Sequence, residues 1–181
     1  DRALAAGQRA FADVSHPVLA EMRVTRGELL RKLGHPDQAV PEQRAALADL
    51  EAAAPYFADA ALSAAEGLSF SLGNLGQFDQ AAEMALYALQ RSRQRYGDDD
   101  VMVGRRGVRA AEALRAAKRL EEAKQQIDAA LETLIRLRDV PSRLADARNT
   151  QGGILRALGN LEEAQAAYQQ SLEIAEEQLG P

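Results

Sequence analysis

The sequence predicts an all-α fold, an array of antiparallel helix pairs stacked into a solenoid. Three observations predict it. Alanine and leucine carry an apolar fraction of 46% while Val, Ile, Thr and aromatic strand formers are sparse, and alanine is the best helix former. A short pattern recurs at a fixed spacing: "LGHPDQA" at 33–39, "LGQFDQA" at 75–81, "AKRLEEA" at 117–123 and "LGNLEEA" at 158–164. Its closing alanines, Ala39, Ala81, Ala123 and Ala164, stand 42, 42 and 41 residues apart, a period that belongs to repeat architectures. Apolar residues flank each copy at spacings of three, four and seven, the mark of one buried helix face.

Each unit reads as helix, tight turn, helix. Stripes such as Met22, Leu29, Leu30 and Leu33, or Leu62, Leu68, Leu72 and Leu75, precede the turns. Stripes such as Ile127, Leu131 and Leu134, or Tyr168, Leu172 and Ile174, follow them. Glycine in the turn suits the left-handed conformation at a helix C-terminus. Asp37, Asp79, Glu121 and Glu162 then fall in the first turn of the next helix, where the dipole favours negative charge. Breakers separate the units: "HPVL" at 16, "APYF" at 54, "YGDDD" at 96 and "DVPS" at 139. Proline is tolerated in a first turn and Asp or Ser caps a start.

The predicted helices are 2–13, 17–33, 36–54, 57–75, 78–96, 99–117, 120–138, 141–158 and 161–179. The domain expectation is one array: a tail helix of a preceding repeat at 1–15, then repeats at 16–56, 57–98, 99–140 and 141–181. No single pair can bury both its faces, so neighbours must stack. The chain begins at Asp1 rather than methionine and reads as a piece of a longer protein.

Charge and composition narrow the function. A net charge of -5 argues against a general nucleic-acid binder. The basic residues are nearly all arginine, with lysine only at 32, 118 and 124, which reads as a habit of the source genome. Without cysteine there are no disulfides, thiolate metal sites or thiol nucleophiles. No apolar run approaches the ~18 residues of a membrane span, and the expected location is the cytoplasm. His16 and His35, each beside a proline, read as turn residues, since a metal site needs ligands converging from three or four positions. "GDDD" at 97–100 lacks the alternation and distal Glu of a calcium loop and reads as a helix cap. "QGG" at 151–153 has no preceding strand and no following Gly-Lys-Ser/Thr, so it is no phosphate loop. Gly153 reads instead as a point of close approach. The serines show no base arranged nearby. No catalytic residue, metal or cofactor is expected.

The unit resembles a tetratricopeptide repeat (TPR), whose helices form a right-handed α-α superhelix. The resemblance rests on small residues in the first helix (Gly27, Ser69, Ala111, Gly152) and on the turn position (Gly34, Gly76, Lys118, Gly159). It also rests on a later small position (Ala46, Ala88, Ala130, Ser171). The period of about 42 residues is similar to the kinesin-light-chain type, with traces of its closing motif in "HPVLA" at 16–20, "YGDDDV" at 96–101 and "QLGP" at 178–181. A bacterial source fits the reading. Repeat 3 departs most, with Lys118 for the turn glycine and Leu120 for the aromatic.

The resemblance implies a concave surface, lined by the first helix of each unit, that takes a partner peptide. By register it should present Glu21, Thr25, Glu28, Arg31 and Lys32; Ser63, Glu66, Phe70 and Asn74; Arg105, Arg109, Glu112 and Arg115; and Asp146, Asn149, Thr150 and Arg156. Arginine binds carboxylates in fork geometry and asparagine can pair with peptide backbone. The expected ligand is therefore an acidic peptide. Its candidate contacts are Arg31, Phe70, Asn74, Arg105, Arg109, Arg115, Asn149 and Arg156.

The same arginines also read as a solvated face paired at i,i+3, Arg109 with Glu112 and Glu112 with Arg115. Arg105 and Arg109 match the basic pair of a carboxylate clamp, but Val24, Glu28 and Gly67 stand where that clamp needs other residues, so its function is not carried over. Phe70 is the one aromatic placed as a groove anchor; Tyr56, Phe57, Phe78, Tyr87 and Tyr168 read as core. Two function classes follow. One is a non-catalytic interaction scaffold, able also to self-associate through its apolar ends. The other is the regulatory or sensor arm of a larger bacterial signalling enzyme or transcription regulator.

Overall fold

The computed structural model describes residues 16–53 and 56–179. Among them there are eight helices and no strand: α1 (Pro17–Lys32), α2 (Pro36–Ala52), α3 (Ala58–Asn74), α4 (Phe78–Tyr96), α5 (Val101–Ala116), α6 (Leu120–Arg136), α7 (Pro141–Leu158) and α8 (Leu161–Leu179). The predicted bounds agree to within two residues. The tail helix predicted at 2–13 lies outside the described residues.

The turns explain why the helices end where they do. Gly34, Gly76 and Gly159 adopt φ of 83°, 73° and 85°, the left-handed region that favours glycine. After each, the next amide reaches back to a carbonyl five residues earlier: His35 to Leu30, Gln77 to Leu72 and Asn160 to Leu155, all at 2.9 Å. This is the closure that satisfies the orphan carbonyls of a helix end. Lys118 makes the same turn at φ 63°, with Arg119 donating to Leu114 at 2.9 Å. Arg138 repeats it at φ 53° between two repeats.

Two of the four breakers cap a helix start with a side chain, while Phe57 before α3 and Val140 before α7 make no such bond. The Asp100 Oδ1 accepts from the Met102 amide at 2.7 Å, and His16 Nδ1 from Val18 at 3.3 Å. His35 precedes α2 with no side-chain cap bond.

The chain divides into two compact units after Ala88, within α4. In the first, α1 packs on α2 and α2 on α3. Its core holds Leu50, Leu62, Leu68 and Leu72 around the alanines Ala20, Ala46, Ala64 and Ala65, with Met84 and Tyr87 of α4 against them. Ser69 ties the turn-flanking backbone by donating to the Ala81 carbonyl at 2.8 Å. In the second unit α5 packs on α6, α6 on α7 and α7 on α8. Leu89, Leu114, Ile127, Leu134 and Ile154 are its fully buried large side chains. Arg106 is buried there too and donates to Ser92 Oγ at 3.1 Å.

Four sequence readings of the core need correction, the first being Leu75, which is 38% exposed as the C-cap of α3. Leu29 and Leu33 are 56% and 62% exposed, because Leu33 is already the C-cap and the stripe is wider than the face α1 buries. Leu172 is half exposed on α8. Tyr56 and Phe78 are exposed as well, at 91% and 44%; one lies in the breaker before α3 and the other opens α4. Phe57, Tyr87 and Tyr168 do pack on the cores.

Close helix approach falls at Gly152. A methyl group there would stand 2.7 Å from the Tyr168 ring, whereas one on Gly153 would meet only ordinary contacts, 3.7 Å from the Tyr168 hydroxyl and 3.8 Å from Arg115 Nε.

Candidate groove surfaces

Each unit carries a depression between two of its helices, α1 and α3 in the first and α5 and α7 in the second. In the second unit a groove of about 420 Å³ runs between α5 and α7. Arg105, Arg109 and Glu112 line it from α5; Arg143, Asp146 and Asn149 line it from α7. The register expected these side chains on one surface, with one addition, Arg143, that the reading left out.

The four arginines on the α5 and α7 faces differ in what holds them. Arg105 is committed to the protein. Its Nε donates to Asp139 Oδ2 at 2.9 Å and its Nη2 donates to Oδ1. The Asp139 side chain is only 2% exposed. The bidentate bond holds the Asp139 carboxyl below the usual carboxylate range and pushes the Arg105 guanidinium up. Asp139 Oδ1 also accepts from the Val140 amide at 2.8 Å and lies 3.8 Å from Arg143. Arg109 donates to Glu112 Oε2 at 2.9 Å, the expected i,i+3 pair, yet its side chain stays 56% exposed. Glu112 turns its other oxygen to the Thr150 hydroxyl at 3.1 Å, tying α5 to α7. Asn149 and Arg115 are both exposed, but only Asn149 lines the groove; Arg115 lies outside its lining.

Arg156 lies elsewhere. It borders a separate depression of about 360 Å³ formed with Leu161, Tyr168 and Leu172 of α8. In the first unit, α1 and α3 enclose a smaller cavity of about 200 Å³. The Arg31 guanidinium sits 5.4 Å from the centroid of the Phe70 ring in its wall, within range of a cation–π contact. Phe70 is 41% exposed. Asn74, the last residue of α3, is exposed and borders neither groove. Several polar residues expected on these faces are turned inward on their own helix: Thr25 and Ser63 donate to the carbonyls of Glu21 and Asp59, a local bond their short side chains favour. Glu28 pairs with Lys32 at 2.9 Å.

Besides Arg143, sequence reasoning missed two residues, Asp139 and Gln43. Asp139 reads as an ordinary cap in "DVPS". Gln43 is 1% exposed in the floor of the first-unit cavity. A signal for it existed: four residues after the closing alanines the other units carry Ala85, Ile127 and Tyr168.

A family model described as tetratricopeptide repeat matches residues 107–177, the greater part of α5 to α8. Solved structures extend the likeness over nearly the whole chain. BtubC (BKLC) from P. vanneervenii superposes with a TM-score of 0.81 over 92% of this chain and 67% of its own, at 18% identity. The nearly identical TPR-like repeats of a Podosopora anserina kinesin-light-chain-type protein give 0.80 over 94% and 81%, at 15% identity. The apo form of RapI gives 0.76 over 86% of this chain and 55% of its own, at 15% identity.

The chain is all-α and TPR-like.

At these identities the likeness is one of fold. The TPR-like chain spans about half of RapI. No curated protein sequence matches it. TPR-like arrays in general offer extended concave surfaces to other proteins. Among the described residues no helix is long and apolar enough to cross a membrane.

Proposed function

We propose that this TPR-like chain is a non-catalytic scaffold that holds an acidic peptide segment of a partner protein in the α5–α7 groove. One observation carries the reading: a groove of about 420 Å³ whose lining gathers Arg105, Arg109, Arg143 and Asn149 on a protein of net charge -5. Arg109 and Asn149 are the contacts inside the groove, since they line it with exposed side chains, and Arg115, exposed on α5 beyond the lining, extends the basic face. Arg105 supports the groove from beneath through Asp139. Guanidinium groups give fork-shaped bonds to carboxylates, and an exposed carboxamide can pair with peptide backbone.

The test is peptide selection from a random library on the immobilised chain, followed by solution affinities. Arg109→Glu and Arg115→Glu are made together and Arg105 is left in place, because its loss would strand the buried Asp139. The expected result is enrichment of Asp- and Glu-rich peptides that bind at least tenfold more weakly to the double variant and weaken with salt. Selected peptides without acidic residues, or equal binding by both proteins, would overturn the reading.

A further inference from the structure

Gln43 sits on α2, the second helix of its repeat, yet its side chain reaches through to the cavity between α1 and α3. Two glycines open the way. A methyl group on Gly27 of α1 would stand 2.7 Å from Gln43 Cγ, and one on Gly67 of α3 would stand 2.7 Å from Gln43 Nε2. The side chain is 1% exposed, and its Oε1 has no hydrogen-bond partner. A buried acceptor left unpaired keeps its desolvation penalty with nothing to offset it. Packing alone does not require it, because the same position in the other units is filled by Ala85, Ile127 and Tyr168.

A second orphan lies in the same wall. Arg31 Nε is buried without a partner, while its guanidinium covers the Phe70 ring. The cavity thus lacks one donor, for Gln43 Oε1, and one acceptor, for Arg31 Nε. A carboxylate could serve Arg31 but offers no proton to Gln43 and would face Glu28 and Glu66, which also border the cavity. An ammonium could serve Gln43 but would face Arg31. A neutral amide supplies N–H and C=O together. The volume, about 200 Å³, is below that of ordinary ligand clefts and suits one such group.

We propose that the α1–α3 cavity is an amide-binding subsite, in which Gln43 Oε1 accepts from, and Arg31 Nε donates to, a single amide group of a bound partner. The amide comes from an Asn or Gln side chain or from a peptide bond. The subsite deepens the scaffold reading and rests on it only for the source of the amide. Its test uses free small amides, so the two readings fail separately.

The chain is labelled with nitrogen-15 and titrated with acetamide, which stands for a side-chain carboxamide, and with N-methylacetamide, which stands for a peptide bond. Acetate and methylammonium are the charged controls. The signals read are the Gln43 side-chain amide and the backbone amides of Gly27 and Gly67. The expected result is a saturable shift with an amide and none with either ion; whichever amide binds more tightly identifies the source.

Gln43→Met keeps the length and removes the orphan. It should weaken the amide at least about tenfold while its unfolding midpoint equals or exceeds that of the wild type. Gly67→Ala should do the same by displacing the carboxamide, the far end of a flexible side chain, with the fold kept. No saturable shift with either amide, equal shifts with the ions, or full binding by Gln43→Met would overturn the proposal.

Discussion

Arg105 and Asp139, thirty-four residues apart, close a two-pronged bond beneath the α5–α7 groove. The acid comes from the turn between α6 and α7, and the guanidinium from the second turn of α5. The pair therefore fastens the entry of α7 to α5.

Its pH dependence has a definite sign. Asp139 titrates lower in the folded chain than in the unfolded one, chiefly because Arg105 donates to it. Its contribution is complete above the ordinary aspartate value near 4 and is lost as pH falls through the lower folded value. Asp139→Asn should cost about 1.5–3 kcal/mol at neutral pH. The gap between variant and wild type should narrow as the solution is acidified below about 4. Urea unfolding of both proteins across that range measures it.

Gly152 and Gly153 are neighbours in α7 with opposite expectations. Gly152→Ala drives a methyl to 2.7 Å of the Tyr168 ring and should destabilise by about 1–3 kcal/mol. Gly153→Ala meets only ordinary contacts and should be neutral or stabilise by up to about 1 kcal/mol through helix propensity. Adding Tyr168→Leu to Gly152→Ala should recover part of the loss, and a double-mutant cycle reads the coupling.

Lys118 holds a left-handed backbone where the other repeats use glycine. Lys118→Gly should raise stability by about 0.5–1 kcal/mol, the left-handed penalty less the greater chain entropy of glycine. A thermal melt that fell instead would show that the lysine side chain contributes more than its backbone costs.

The repeat made most of the fold legible. Glycine, acid and alanine at fixed offsets mark the turn and the start of the second helix, and α1 to α8 fall within two residues of expectation. Periodicity located faces but not partners. It put Arg105 on the groove without disclosing that Asp139 already occupies its fork, because that contact joins different elements and obeys no helical spacing. It put Arg156 with the other arginines, although the side chain borders the depression on α8. The repeat resemblance put Gly152 at the small position of its helix, where the close approach falls, whereas the separate reading of Gly153 as a close approach fails, since two glycines in a row differ by about 100° around the helix. Gln43 was legible in principle, as the polar residue at a position that is apolar in every other unit.

Gly27 opposite Gln43 and Gly152 opposite Tyr168 make these hairpins matched halves. The residue of α5 that corresponds to Gly27 is Ala111. A recombinant joining that stretch of α5 to α2 would set a methyl 2.7 Å from Gln43 Cγ. Crossovers inside a hairpin are therefore penalised, while exchange of whole hairpins escapes this clash. The heritable module is the pair, cut at the breakers, and a sequence averaged over all four repeats would erase the fit within each.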